Sequence, residues 1–519
     1  MTTTRLFSTA AVAGPCGIRR FAACWVLVAL LWPALGCATY RQTEREMRQA
    51  IQDWQRKQLD LAALGQADVT PTTGPSRAPS VPTPAAEQES ERAPDSRLQQ
   101  LVREALQRNP TIQAAIADVE AKLERIPQVT TLGDPVLRAI VRPEPIQTAA
   151  GDAYLTLGVA QTIPWPVKLD RAGKRAAAEV RAAIELLNAA RLRVIADVER
   201  CYHRLYLADR SIELTAANRR LLEDLEQVVT ARYQVGKVQQ QDVLRLQTEL
   251  AKLRDDESRY RRQRTSSAAA LNQLLDRPVT TDVPVTEVAQ QHEMTVEVEQ
   301  LIQLAETHNP ELARLRHELE RDRQGVALAD LAYWPDVMLG AEWTYVEPRD
   351  PFIPPINPQT GQRPPFSRKS EAGDDNWAVT LQLNLPVWFA RIEAAKREAR
   401  RNLLRTQHEK RAAFNLIAFR VYDAWVRVQM QQETVQLLAS TLIPQARQTY
   451  EVSLAAYQAG SADFLTVIDN WRQKLNLELM YHRELADLET AFSELQREVG
   501  LQLVRDELAD EAQADGNGS

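Results

Sequence analysis

Tyr457-Gln458-Ala459-Gly460, with Ser461, Asp463, Phe464 and Asp469 behind it, lies between two long helical patterns. An earlier copy reads Tyr233-Gln234-Val235-Gly236, followed by Lys237 and Asp242. In each copy a glycine parts two helices, with a tyrosine three residues before it. Glycine tolerates the positive φ that closes a helix, so the chain can turn back there. Two long helical hairpins with matching tips imply a duplicated architecture.

Other landmarks repeat in the same order. Asn109-Pro110 recurs 200 residues later as Asn309-Pro310, and Asp134-Pro135 recurs at the same offset as Trp334-Pro335. Ile163-Pro164 recurs as Leu385-Pro386, and Gly236 as Gly460, at offsets of 222 and 224. Each copy therefore runs helix, proline, strands, proline, long helix, glycine tip, helix. The offset grows between the two proline markers, so the second copy carries an insertion there, read as Pro348–Asp375. The repeats span 97–290 and 291–503.

Composition agrees with long helices: aromatic residues are 6% of the 519, and Ala, Leu, Arg, Glu and Gln are plentiful. The formal net charge of −6 argues against nucleic acid as a partner. Residues 1–36 read as an export signal: Arg5, Arg19 and Arg20 precede the apolar run Phe21–Leu31, which is short for a spanning helix. It ends Ala34-Leu35-Gly36-Cys37, a pattern similar to a bacterial lipobox, with Cys37 as the acylated N-terminus and outer-membrane lipid as its anchor. A signal without lipid, cut elsewhere, is the alternative. Residues 37–96 form a segment whose Pro71, Pro75, Pro79, Pro82, Pro84 and Pro94 mark a linker unable to build a core. Residues 504–519 read as an acidic disordered tail.

Within each repeat the apolar period changes. Leu98, Leu101, Val102, Ala105 and Leu106 have helical spacing, and a helix is expected over Leu98–Leu123. Arg171–Tyr233 contains one glycine and no proline, about 90 Å of helix at 1.5 Å per residue. Asp242–Leu275, Arg391–Tyr457 and Phe464–Val499 complete the hairpins, with Pro444 as an expected kink. Helices of this length need lateral partners. Between the prolines the period is two. Val379, Leu381 and Leu383 alternate with Thr380, Gln382 and Asn384; Leu155, Leu157 and Val159 with Thr156 and Gly158; Val337–Tyr345 alternates around Glu342; Leu137, Ala139 and Val141 oppose Arg138. These runs approach the length a tilted strand needs to cross a bilayer. Alone they fit a half-buried soluble sandwich equally well. Arg142–Asp152 and Pro348–Asp375 read as the loops joining them.

Taken together, these features resemble the TolC family of outer-membrane efflux channels, from about Arg97 to Gly500. Gln161-Thr162-Ile163-Pro164-Trp165-Pro166 and Gly173-Lys174-Arg175 are most similar to its metal-efflux branch. The resemblance implies an α+β membrane protein with duplicated helical hairpins forming an α-barrel. Four β-strands per chain would contribute to a 12-stranded β-barrel in a homotrimer. An independent reason supports oligomerisation: four strands cannot close a barrel, and an open edge in lipid leaves backbone groups unpaired. The implied function is a passive exit duct, served by an inner-membrane transporter and a periplasmic adaptor, with metal ions or small toxic compounds as cargo. A channel for type I protein secretion and a periplasmic coiled-coil scaffold without a pore are the other readings. In a barrel, Arg138, Glu342, Thr380, Gln382 and Asn384 would face the pore.

The resemblance also locates a gate and a docking turn. Gly236, Lys237, Gly460 and Ser461 would meet the adaptor. Tyr457 matches the family's gate tyrosine and Asp242 its hydrogen-bond partner on the other hairpin. Asp469, nine residues past Gly460, matches one ring of carboxylates around the axis. A second ring is missing, since Thr466 stands there, and the arginine two past the glycine is replaced by Ala462. No nucleophile elbow or phosphate loop is present, so neither an enzyme nor a cofactor is expected. Cys201 and His203, two apart on a helix, point to different faces and read as packing rather than as a metal pair. No metal site is expected from the remaining histidines.

Overall fold

The computed structural model describes residues 97–148, 151–236, 238–284, 296–347, 356–362 and 374–501. The export signal, Cys37, the linker, Lys237 and the acidic tail lie outside the described residues. The chain divides into two compact units, each drawing on both repeats. Within the described residues one comprises 121–180 and 318–406, the other 97–120, 181–317 and 407–501.

The first unit contains an antiparallel sheet in the order β1 (Val136–Gln147), β2 (Asp152–Ile163), β3 (Val337–Glu347) and β4 (Asn376–Leu383). All four expected strands are present. Residues expected in the loop Arg142–Asp152 belong instead to β1 as far as Gln147, and β2 begins at Asp152. Pro143 and Pro145 explain both readings. Their fixed φ suits extended backbone, but they cannot donate to a ladder. The β1–β2 register accordingly breaks between Val141 and Ile146, and β1 is an edge strand of the sheet. Thr148 and Gly151 close the hairpin by exchanging backbone hydrogen bonds of 2.8 and 3.3 Å.

The second unit is helical. The helix expected over Leu98–Leu123 is two helices, α1 (Arg97–Arg108) and α2 (Pro110–Leu123). Asn109 breaks it: its Oδ1 accepts from the Thr111 amide at 2.9 Å, capping α2. Its Nδ2 donates to the Leu274 carbonyl at 2.9 Å. The second copy does the same. Asn309 caps the helix starting at Pro310 through the Glu311 amide, and donates to the Glu498 carbonyl at 2.7 Å. Each Asn-Pro thus starts one helix and holds the end of the returning one.

The short α3 (Arg125–Thr130) belongs to the first unit; α4 (Pro166–Gln234) and α5 (Gln240–Leu274) form the first hairpin. Two helices of the second repeat, α6 (Val298–His308) and α7 (Pro310–Asp330), precede β3. The second hairpin is α8 (Phe389–Leu437), α9 (Ile443–Gln458) and α10 (Phe464–Val499). A π-helical turn, Leu438–Leu442, joins α8 to α9. Pro444, which has no amide to donate, sits in the first turn of α9, so the expected kink is absorbed by that turn. Among the described residues no helix is long and apolar enough to cross a membrane.

Candidate functional site

The tips are built by their glycines. Gly236 has φ 74° and Gly460 φ 79°, the left-handed region in which a side chain is strained. At the second tip the Ser461 amide reaches back to the Ala456 carbonyl at 2.9 Å and the Gly460 amide to Tyr457 at 3.0 Å. These two bonds end α9 and satisfy carbonyls that no helical turn follows. Ser461 Oγ adds a third, to Ala456 at 3.0 Å. Gly236, Gly460 and Ser461 are all exposed, so both turns present their backbone outward.

Below the turns, both hairpins share one apolar core. Leu222 and Val229 of α4, Leu246, Leu250 and Leu253 of α5, and Tyr450, Tyr457, Phe464, Val467 and Trp471 of the second hairpin pack together. Tyr457 is 4% exposed, with its ring 5.5 Å from that of Phe464. The expected hydrogen bond from Tyr457 to Asp242 is not formed: the tyrosine hydroxyl is buried without a partner. Asp242 stays half-buried in the first turn of α5, where the positive end of the helix favours its carboxylate. Moving that charge into the apolar core would cost more than one phenol bond returns. Burial pushes the Tyr457 pKa up; Arg232 pulls against it and the nearby Asp242 adds to it.

Arg232 makes the contact instead. Its guanidinium lies over the Tyr457 ring, 5.1 Å from the centroid, and donates to the carbonyls of Tyr457 at 3.2 Å and Gln458 at 3.0 Å. Reading the sequence missed this residue. The available signal was its place in the last turn of α4, where a cation complements the helix end.

Asp469 stands half-exposed on α10 and is paired with Arg472 at 3.0 Å. Arg472 also reaches Glu249 of α5 at 2.9 Å, and Lys252 reaches the same carboxylate at 2.8 Å. Burial alone would raise the Glu249 pKa; its bonds to Lys252 and Arg472 outweigh that and hold the carboxyl below its usual range. Trp471 Nε1 donates to Asn218 of α4 at 3.0 Å. Asp469 is therefore one member of a charge cluster, not an isolated carboxylate.

In the sheet unit the strand register sorts side chains onto two faces. Arg138, Gly158, Glu342 and Ala378 form one row across all four strands, and Ala160, Gly340 and Thr380 lie in the next. On this face Arg138 meets Glu342 at 3.6 Å, Thr156 meets Thr344 at 3.1 Å and Arg142 donates to Thr156 at 2.9 Å. Gln382, opposite Met338, shares it. The other face carries Leu137, Val141, Leu157, Val159, Leu339, Trp377, Val379, Leu381 and Leu383, all exposed, Val379 by 85%. Asn384 falls outside this pattern. β4 ends at Leu383, and the Asn384 amide turns to the Asp336 carbonyl at 3.1 Å.

Cys201 and His203 are packed in the helical unit. Burial raises the Cys201 thiol pKa, and His203 is 5% exposed with its ring against Tyr202. Among the described residues no three His, Cys, Asp or Glu side chains gather as a metal set.

Residues 101–277 and 301–500 match the model of a family described as Outer membrane efflux protein. No curated relative matches the chain in sequence. Solved structures share the fold, three of them as follows. The Vibrio cholerae outer membrane protein VceC is 19% identical, with a TM-score of 0.62 over 78% of this chain and 96% of its own. The Campylobacter jejuni outer membrane channel CmeC is 13% identical, with a TM-score of 0.63 over 85% and 97%. CusC, described in terms of folding and transmembrane channel formation, is 14% identical, with a TM-score of 0.61 over 83% and 99%.

Proposed function

Because the chain belongs to the outer membrane efflux protein family, whose members are non-enzymatic ducts of the outer membrane, we propose that three copies close a twelve-stranded barrel and share a helical tunnel. The observation that carries this is the two-faced sheet. One face is apolar and bare to solvent over four strands; the other holds Arg138, Glu342, Thr380 and Gln382. Lipid suits the first face and a water-filled lumen the second. Four strands with free edges require partner chains to satisfy their backbone in lipid. Single cysteines along 377–383, labelled in isolated outer membranes with a water-soluble reagent, test the assignment. Labelling should favour Ala378, Thr380 and Gln382 over Trp377, Val379, Leu381 and Leu383. Equal labelling of both sets would sink it.

The duct exports small toxic compounds or metal ions delivered by an inner-membrane transporter through a periplasmic adaptor. The adaptor docks on the turns at Gly236, Lys237, Gly460 and Ser461. Support comes from the exposed backbone of both glycine turns. The region around Tyr457, Asp242 and Asp469 forms the constriction. Three Asp469 carboxylates near an axis favour cations, although each is partly offset by its own Arg472. Asp469→Asn should lower cation selectivity in single-channel recordings only modestly; an unchanged reversal potential would remove Asp469 from the conduction path. Cys37 carries the lipid anchor, and Cys37→Ser should abolish incorporation of labelled palmitate; continued labelling would refute that.

A further inference from the structure

The tip core leaves one feature unused by the proposed constriction: a cation from the first hairpin seated on the main chain of the second. Arg232 Nη1 donates to the Tyr457 carbonyl at 3.2 Å and Nη2 to the Gln458 carbonyl at 3.0 Å. These are carbonyls of the last turn of α9, at the negative end of the helix dipole. The Tyr457 carbonyl already accepts from Gly460, so the guanidinium and the glycine turn share one acceptor. The same guanidinium covers the Tyr457 ring at 5.1 Å. A planar fork with several donors suits two adjacent carbonyls and a ring at once; an ammonium does not.

Two other polar links join the hairpins in this core, and they differ in what they hold. Trp471 to Asn218 and Arg472 to Glu249 connect side chains of α10 to the first hairpin. Arg232 alone of these three grips backbone, and it grips the turn itself, two and three residues before Gly460. The Tyr457 hydroxyl makes no hydrogen bond to Asp242, so it adds no competing link between the hairpins.

We infer that Arg232 is the tether fixing the second tip to the first, and that it sets the resting aperture of the duct. The aperture rests on the proposed channel function, whereas the tether joins the two turns whether or not the protein conducts. Arg232 is a positioning residue: it acts through the α9 turn. Release requires breaking both carbonyl bonds together, after which the Tyr457 ring loses its cover.

The test uses full-length protein reconstituted in outer-membrane lipid, with nitroxide labels at the exposed positions Val235 and Ser461. Labelled chains are diluted among unlabelled ones so that distances within one chain dominate. The native protein should give one narrow distance distribution. Arg232→Ala should broaden it toward longer distances and raise resting single-channel conductance several-fold. Arg232→Lys should give a smaller change in the same direction, because one ammonium keeps the charge but cannot fork. The melting temperature of Arg232→Lys should stay at the native value, which separates a tether from a general loss of packing. An unchanged distribution in Arg232→Ala overturns the tether. So does a Lys variant indistinguishable from the native protein, since charge alone would then suffice. If Arg232→Ala fails to assemble, the Lys variant decides by the same criterion. Broadened distances in a protein that conducts no current would sustain the tether and defeat the channel reading instead.

Discussion

Tyr233 and Tyr457 occupy the same place in the same four-residue motif, yet Tyr233 is 43% exposed and Tyr457 4%. The turns themselves match: each glycine lies three residues past its tyrosine, with φ 74° at Gly236 and 79° at Gly460. Local chemistry therefore fixes the turn and leaves the tyrosine's surroundings open. Those surroundings come from the other hairpin. Tyr457 enters a core built from α4, α5, α9 and α10, whereas Tyr233 does not. A duplicated motif has become asymmetric, with one copy serving as a surface and the other as the keystone of the shared core.

The largest expected effect is on packing. Tyr457→Ala removes a buried ring and should cost about 3–5 kcal/mol of stability in chemical unfolding of the detergent-solubilised protein. Tyr233→Ala, at a surface position, should stay within about 0.5 kcal/mol. Similar losses at both would erase the asymmetry. The glycines should behave alike: Gly236→Val and Gly460→Val each force a branched side chain into the left-handed region, costing about 1 kcal/mol or more. In the proposed duct, export should fail in Gly460→Val while the proposed trimer still assembles. A strain cost at one tip only would show that the turns are less equivalent than their angles.

Removing only the hydroxyl separates two accounts of the second tip. With no hydrogen bond from its hydroxyl to Asp242, Tyr457→Phe should be neutral or stabilising by up to about 1 kcal/mol, with unchanged resting conductance. A loss of stability would restore a hydrogen bond such as that to Asp242. The smallest effect concerns acid. The Glu249 carboxyl is held below its unfolded value, so its contribution is present above about pH 4.3 and is lost as pH falls through the lower folded value. Glu249→Gln should flatten that part of the stability profile; an identical acid limb would mean that the Arg472 link adds nothing.

Much of this was legible in the sequence because it is periodic. Alternation along Trp377–Leu383 sorted side chains by parity, and the strand register keeps Arg138, Glu342 and Thr380 on one face. The repeated Asn-Pro pairs marked the duplication but hid a break, since helical spacing continues across Asn109 while its side chain caps a new helix. Pro143 and Pro145 looked like a loop because a missing amide is easier to read than an edge strand that can tolerate it. Partner choice at the tips was not legible. Arg232 and Tyr457 are 225 residues apart, and nothing local says that the cation, rather than Asp242, would arrive.

Paired single-channel recordings of Tyr233→Ala and Tyr457→Ala test most directly whether the second tip alone holds the duct closed. The asymmetric core predicts several-fold higher resting conductance for Tyr457→Ala and a native value for Tyr233→Ala. Equal changes in the two variants, or none in Tyr457→Ala, would contradict it.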